Sequence, residues 1–218
     1  MAEMIDTLKN KYRECRRTTS NLYYDNFIYH RYFDETRSIF IHIPKTAGTS
    51  IAKALYGKDP RHIPLDKFER KNPYKFQNYF KFTFVRNPLH RLASSYFYAR
   101  SLLPDIDIRH PIYFIEKYNS FDDFVLKGID QSTKEHYFFG LQTRYLLNRN
   151  SSMNSLDFIG KFENLESDFK VVSEKIGIAV KIGHEKQGEI KNYDHLFTEK
   201  LRNKVKEIFA EDYRLLDY

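Results

Sequence analysis

The chain has 218 residues, of which 41% are hydrophobic and 30% are charged, with 17 Tyr, 19 Phe and no Trp. This length and composition predict one folded domain with an aromatic core, because two full-sized domains need a longer chain. The single Cys excludes an intrachain disulfide framework and a thiolate metal site, and the net charge of +7 favours an anionic ligand over a cationic one.

The amino-terminal segment, residues 1–37, is polar and rich in Tyr, and it carries a predicted opening helix around Asp6–Arg17. We interpret it as a peripheral N-terminal helical cap on a main domain that spans residues 38–218. The first strong element of that domain is the β-prone run from Ile39 to Ile43, which predicts a short buried strand.

A candidate phosphate loop follows this strand. It consists of Lys45, Thr46, Ala47, Gly48, Thr49 and Ser50. A helix is predicted from Thr49 to Tyr56, with Gly57 as its left-handed cap, so the loop lies where backbone N–H groups at a helix start can wrap an anion. The lysine precedes the glycine, unlike in the nucleoside triphosphate loop, and this order suits charge that develops on a leaving bridging oxygen. The alternative is an ordinary strand-to-helix turn with a solvated lysine.

A second anion site is predicted at the end of the next strand, Phe80–Val85. Arg86 follows that strand directly, and Pro88 can occupy the first turn of a helix that carries Ser94. Ligands of open parallel sheets bind beyond the carboxyl ends of the strands, so Arg86 and Ser94 are expected to share one crevice with the first loop. A planar guanidinium and a hydroxyl suit a terminal phosphate monoester.

The rest of the chain continues the alternation of strands and helices. The predicted elements are helices at Phe121–Lys127 and Lys134–Leu147, a strand near Asp157–Phe162, a helix from an Asn164 cap through Ile176, and a last helix capped by Thr198. This order predicts a single-domain α/β fold with a parallel central sheet flanked by helices.

The two motifs together resemble a known family. The strings Ile-Pro-Lys-Thr-Ala-Gly-Thr-Ser and Phe-Val-Arg-Asn-Pro-x-x-Arg-x-x-Ser-x-Tyr are similar to the two signatures of the Golgi-type carbohydrate sulfotransferases, sulfotransferase family 2, and their bacterial relatives. The similarity extends over about residues 38–218. It departs mildly at Leu89, where an aromatic residue is common, and at His184-Glu185-Lys186, which matches a later nucleotide-contacting segment only loosely.

The resemblance implies a P-loop-like sulfotransferase fold and an activity. By this resemblance the enzyme would transfer a sulfuryl group from 3'-phosphoadenosine 5'-phosphosulfate to a carbohydrate hydroxyl and release 3',5'-adenosine bisphosphate without a metal. The residues from Lys45 to Ser50 would hold the 5'-phosphosulfate, with Lys45 also acting in catalysis, and Arg86 and Ser94 would hold the 3'-phosphate.

The resemblance also places a base in the segment between the two motifs. His62 is the histidine of that segment and is our choice for the catalytic base. The alternative is that His62 only decorates a loop. His42, His90, His184 and His195 are expected to pack within the fold or to lie on its surface.

Two rival functions and a location follow from the same sequence. The rivals are an ATP-dependent small-molecule kinase and a non-enzymatic domain that binds polyanions through charge and exposed Tyr. We expect no nucleic acid partner and no transmembrane segment. The charged amino terminus predicts a cytoplasmic protein, with a Golgi-lumen domain separated from its anchor as the alternative.

Overall fold

The computed structural model describes residues 28–182 and 193–218. The predicted helix at Asp6–Arg17 and His184 both lie outside these residues. Residues 28–37 include the short helix α1, whose Phe33 is fully buried in the cluster that surrounds the sheet. The division into a cap of residues 1–37 and a domain of residues 38–218 stays a prediction.

Three parallel strands form the sheet of the described chain, in the order β1-β2-β3. They are β1 Ser38–Ile41, β2 Phe80–Val85 and β3 Phe158–Lys161. Ser38 pairs with Phe80, and Phe82 pairs in turn with Phe158. The predicted parallel α/β fold is confirmed, and β2 is the central strand of these three.

Helices connect and flank the strands. The α-helices are α1 Arg31–Thr36, α2 Gly48–Tyr56, α3 Leu65–Lys71, α4 Pro73–Asn78, α5 Pro88–Leu102, α6 Phe121–Asp123, α7 Leu165–Lys175, α8 Glu199–Ile208 and α9 Ala210–Leu215. A π-helical turn, Phe124–Gly128, extends α6. The 3-10 turns are Leu103–Asp105, Tyr113–Lys117, Gln131–Glu135, Thr143–Tyr145, Phe162–Asn164 and Asp194–Leu196.

Helix boundaries follow local chemistry. The side chain of Asn87 accepts hydrogen bonds from the N–H groups of Leu89 and His90, with Pro88 in the first turn, so α5 begins where its cap is satisfied. Gly57 ends α2 at φ 68°, a conformation that glycine adopts without steric cost. Thr198 caps α8 through the N–H of Leu201, as predicted.

Four details differ from the sequence expectations. The segment Lys134–Leu147 is irregular and contains 3-10 turns instead of one helix, and α9 follows the helix that was expected to be last. Asn164 precedes α7 without a side-chain capping bond. Arg91, which the helical period places on another side of α5 from its apolar face, is only 1% exposed.

The core has two parts. One surrounds the sheet and includes Phe40, Phe82 and Phe84, and the other packs the inner face of α5 against the segments that follow it. On the face of α5 that points into this core, Leu89, Leu92, Ala93 and Tyr96 are buried and Phe97 is partly buried. The helices that follow the two motifs, α2 and α5, are therefore each packed into one of these two clusters.

Candidate active site

The two predicted anion-binding motifs lie side by side. Because β1 and β2 are parallel neighbours, their carboxyl ends meet at one edge of the sheet. Arg86 follows β2 directly, and its Nη1 lies 3.5 Å from the backbone oxygen of Lys45 in the loop after β1. This adjacency agrees with the expectation that both motifs face one crevice.

The loop after β1 has an unusual backbone. Lys45 and Ala47 have φ values of 69° and 65°, in the left-handed region that costs a residue with a side chain about 1 kcal/mol or more. Ala47 is also the residue before α2, which begins at Gly48. The loop thus turns sharply into the helix, and the first N–H groups of α2, which have no acceptor within the helix, lie at this turn.

Two of the loop hydroxyls brace the protein itself. Thr46 is fully buried and donates to the backbone oxygen of Ile43 at 3.1 Å, and Thr49 donates to Oδ2 of Asp59 at 2.8 Å. Each hydroxyl has one proton, so neither can donate to an anion while these bonds persist. Lys45, Ser50 and the backbone N–H groups are left as the loop's donors.

Gly48 allows a close approach of His42. A Cβ atom at Gly48 would lie 1.9 Å from Cδ2 and 2.2 Å from Nε2 of the His42 ring. Only a residue without a side chain fits there, so the requirement for glycine comes from this histidine. His42 is 3% exposed, as expected for a packing residue.

Lys45 is held over an aromatic ring. Its Nζ lies 3.8 Å from the ring centroid of Tyr98, which is within the range of a cation–π interaction. Burial, followed by the neighbouring charge of Arg86, lowers the pKa of Lys45 to about 8. The ammonium is therefore mostly protonated at pH 7 and would gain from an anionic partner.

Arg86 is a buried cation that has no carboxylate partner among the described residues. It is 6% exposed, its guanidinium carbon lies 4.0 Å from the ring centroid of Phe162, and its Nε has no hydrogen-bond acceptor. None of the ion pairs among the described residues includes it. Burial lowers its pKa, although the charge of Glu163 opposes this. Such a guanidinium is suited to bind an anion.

Ser94 joins Arg86 through Tyr193. The side chain of Ser94 hydrogen-bonds Tyr193, and the Tyr193 hydroxyl also interacts with the charge of Arg86. Ser94 lies in α5 one turn before Tyr98, so a single helix face carries the serine and the ring under Lys45. Arg86 and Ser94, the two residues expected to bind the 3'-phosphate, thus both interact with Tyr193.

His62 lies in the segment between α2 and α3, beside His42. Its Nδ1 donates to the backbone oxygen of His42 at 2.9 Å, which leaves Nε2 as the unprotonated nitrogen of the neutral ring. Solvent reaches part of His62, but burial of its ring by the surrounding protein, followed by the charge of His42, lowers the pKa of His62 to about 4. The neutral form, which can accept a proton, therefore predominates at pH 7.

The sequence did not reveal the supports of Arg86. The side-chain amide of Gln142 accepts from the Arg86 N–H at 2.9 Å and donates to the Arg86 oxygen at 2.7 Å. The buried Asp212 accepts in turn from the Gln142 N–H at 2.9 Å. These contacts span up to 70 positions in the chain, and no local pattern signals them.

Arg91 and Glu163 both make structural hydrogen bonds near the site. Arg91 donates to the backbone oxygens of Phe138, Phe139 and Gly140, so it braces this region from inside. Glu163 accepts from the Asn87 N–H at 2.9 Å, which fixes the start of α5 next to Arg86.

A cleft of about 390 Å³ opens beside α5, and Phe97 forms part of its wall. Its lining residues are Tyr96, Phe97, Arg100, Asn119, Ser120, Phe121, Asp122 and Leu196. The ring of Phe97 stacks on Tyr193 at 5.2 Å, so one aromatic layer separates the cleft from Ser94.

The described part of the chain contains neither a metal-binding cluster nor a membrane-spanning helix. No cluster of three or more His, Cys, Asp or Glu side chains there is arranged to hold a metal ion. Among the same residues no helix combines the length and apolar character that a membrane span requires.

Comparison with known proteins identifies the family. The model of the Sulfotransferase family matches residues 29–218, which is most of the chain. The chain therefore belongs to the sulfotransferase family, as the two motifs indicated, and it is a transferase that moves a sulfuryl group. Neither the curated proteins nor the solved structures gave a match.

Proposed function

We propose that this sulfotransferase uses 3'-phosphoadenosine 5'-phosphosulfate as its donor and a carbohydrate hydroxyl as its acceptor, with His62 as the base. The observation that carries the proposal is the pair of adjacent cations, Lys45 and Arg86. Lys45 lies over the ring of Tyr98, and Arg86 is buried without a carboxylate partner among the described residues. A donor with phosphates at both ends of one ribose would satisfy both.

The donor would lie across the crevice between the two motifs. Lys45, the Ser50 hydroxyl and the backbone N–H groups of residues 46–49 would hold the 5'-phosphosulfate at the start of α2, since the Ser50 N–H already donates to the Ala47 oxygen at 3.0 Å. Arg86 and Ser94 would hold the 3'-phosphate, with the guanidinium supplying two parallel N–H donors. Thr46 and Thr49 would support the loop from behind, since their hydroxyl protons already have acceptors.

The transfer step is an in-line displacement at sulfur. The acceptor oxygen forms a bond to sulfur while the bond from sulfur to the bridging oxygen breaks, and 3',5'-adenosine bisphosphate leaves. The acceptor's proton passes to Nε2 of His62, the nitrogen left free by the bond from Nδ1 to His42. The Lys45 ammonium stabilises the negative charge that develops on the bridging oxygen.

The carbohydrate acceptor is supported by the resemblance of both motifs to carbohydrate sulfotransferases. The cytoplasmic location stays a prediction of the amino-terminal sequence.

A transfer assay tests this function. We expect the protein to release 3',5'-adenosine bisphosphate from the phosphosulfate donor only when a carbohydrate acceptor is present, and with no added metal. His62→Ala should lower the turnover number about 100-fold or more while donor-product affinity, measured by calorimetry, is retained. Magnesium-dependent ATP turnover without bisphosphate affinity would contradict the donor and support a kinase. Near-normal turnover in His62→Ala would remove this histidine as the base.

A further inference from the structure

Asp59 links the phosphate loop to the segment that carries His62. It follows Gly57, which ends α2, and its two carboxylate oxygens have different partners. Oδ2 accepts from the hydroxyl of Thr49 at 2.8 Å, and Oδ1 lies 2.8 Å from Nδ1 of His42. One side chain thus contacts the first turn of α2 and the residue after β1.

His42 extends this connection to the candidate base. Its Nδ1 also lies 3.0 Å from the backbone oxygen of Pro60, so both neighbours are acceptors and Nδ1 carries the proton. Its backbone oxygen accepts from His62, and the two imidazole centroids are 4.2 Å apart. Because the His42 ring also packs on Gly48, its position is fixed by the loop as well as by the base segment.

The charge of Asp59 is unfavourable for donor binding. Burial would raise the pKa of Asp59, but the hydrogen bonds from His42 and Thr49 outweigh burial and lower it, so the carboxylate is ionised at pH 7. A negative charge beside an anion-binding loop repels the anion. The side chain is therefore not explained by donor affinity, and its contacts point to a role in geometry.

We propose that Asp59 is a positioning residue for sulfuryl transfer, which holds His62 in register with the phosphate loop through Thr49 and His42. This inference rests on the proposed donor and base. A positioning role has a distinct signature, because a displacement of about 1 Å between reacting groups can lower the rate about 100-fold without weakening substrate binding.

Asp59→Asn tests this role. Asn has one acceptor oxygen instead of two and no charge, so it cannot accept from Thr49 and His42 through separate oxygens, and the contact with Thr49 or His42 is lost or reversed in direction. We expect the affinity for 3',5'-adenosine bisphosphate to stay the same or to become tighter, while the turnover number falls about 10-fold or more. The matched control is Asp66→Asn, which removes a carboxylate seven positions later whose partner is Arg70, and which should leave both quantities unchanged.

A second variant covers the case in which Asp59→Asn folds poorly. Thr49→Val removes the hydroxyl that donates to Asp59 and should lower turnover in the same direction. The double variant should lose no more than the larger single loss, because both changes break one connection. Losses that multiply in the double variant would overturn the inference.

The remaining outcomes separate this inference from the proposed function. Wild-type protein that neither binds the bisphosphate nor transfers a sulfuryl group would overturn both. Active wild-type protein with normal turnover in Asp59→Asn would overturn only the role of Asp59. A parallel loss of turnover and bisphosphate affinity would also overturn it, by making Asp59 a support of the donor site alone.

Discussion

Lys45 combines a strained backbone, an aromatic neighbour and a lowered pKa. Its φ of 69° directs the chain into the turn, and its ammonium lies over the ring of Tyr98. Burial and the charge of Arg86 bring the pKa to about 8, which is low for a lysine. A bound anion would favour the charged form and raise this pKa, so donor binding and protonation are linked.

The linkage predicts proton uptake on binding. Calorimetric titration with 3',5'-adenosine bisphosphate at pH 8, in two buffers of different ionisation enthalpy, should show uptake of up to about half a proton. Affinity should weaken as the pH rises through 8, because free Lys45 then loses its proton. Lys45→Arg should abolish this part of the uptake, since arginine stays charged. An unchanged uptake in Lys45→Arg would contradict the assignment.

At the scale of elements, the segment after α6 shows why one predicted helix is absent. The apolar residues of Lys134–Leu147 predict a helix, but several backbone groups of this segment bond to distant side chains, and its internal backbone bonds form separate turns and not a continuous helix. Arg91 donates to three consecutive carbonyl oxygens, and Asp212 accepts from the N–H groups of Gln142 and Thr143. Tertiary hydrogen bonds have replaced the helical ones, and sequence periodicity contains no information about them.

Asp212 should therefore be important for both stability and the site. It is fully buried and accepts from the N–H groups of Gln142 and Thr143 and from the Thr143 hydroxyl. Asp212→Ala leaves these donors unpaired and should lower the free energy of unfolding by about 3 kcal/mol or more. Urea denaturation measures this loss. The exposed Glu207→Gln on α8 should change stability by less than about 0.5 kcal/mol, and an equal loss in both variants would contradict the role of Asp212.

The elements that carry the two motifs were predictable because their signals are local. A β-prone run, a turn with glycine and a capped helix each depend on a few neighbouring residues, and β1, α2, β2 and α5 all lie where the sequence indicates. The supporting contacts were not predictable. The bonds of Gln142 to Arg86 and of Asp59 to His42 depend on how distant segments pack, and the engagement of the Thr46 and Thr49 hydroxyls depends on the exact turn.

At the scale of the whole molecule, the parallel sheet converts two separated motifs into one site. Lys45 and Arg86 are 41 positions apart, yet the pairing of β1 with β2 brings them into contact at one edge. The net charge of +7 attracts anions in general, whereas at this edge two cations and the starts of two helices lie close together. We propose that the two motifs bind opposite ends of the same donor.

The most direct test compares the binding of 3',5'-adenosine bisphosphate and adenosine 5'-monophosphate to the wild-type protein and to Arg86→Ala. Calorimetry should show that the wild-type protein binds 3',5'-adenosine bisphosphate about 10- to 100-fold more tightly than adenosine 5'-monophosphate, because only the bisphosphate reaches Arg86. In Arg86→Ala this preference should disappear while binding of the monophosphate persists through the Lys45 loop. A preference that survives in Arg86→Ala, or a wild-type protein that does not distinguish the two nucleotides, would contradict the account.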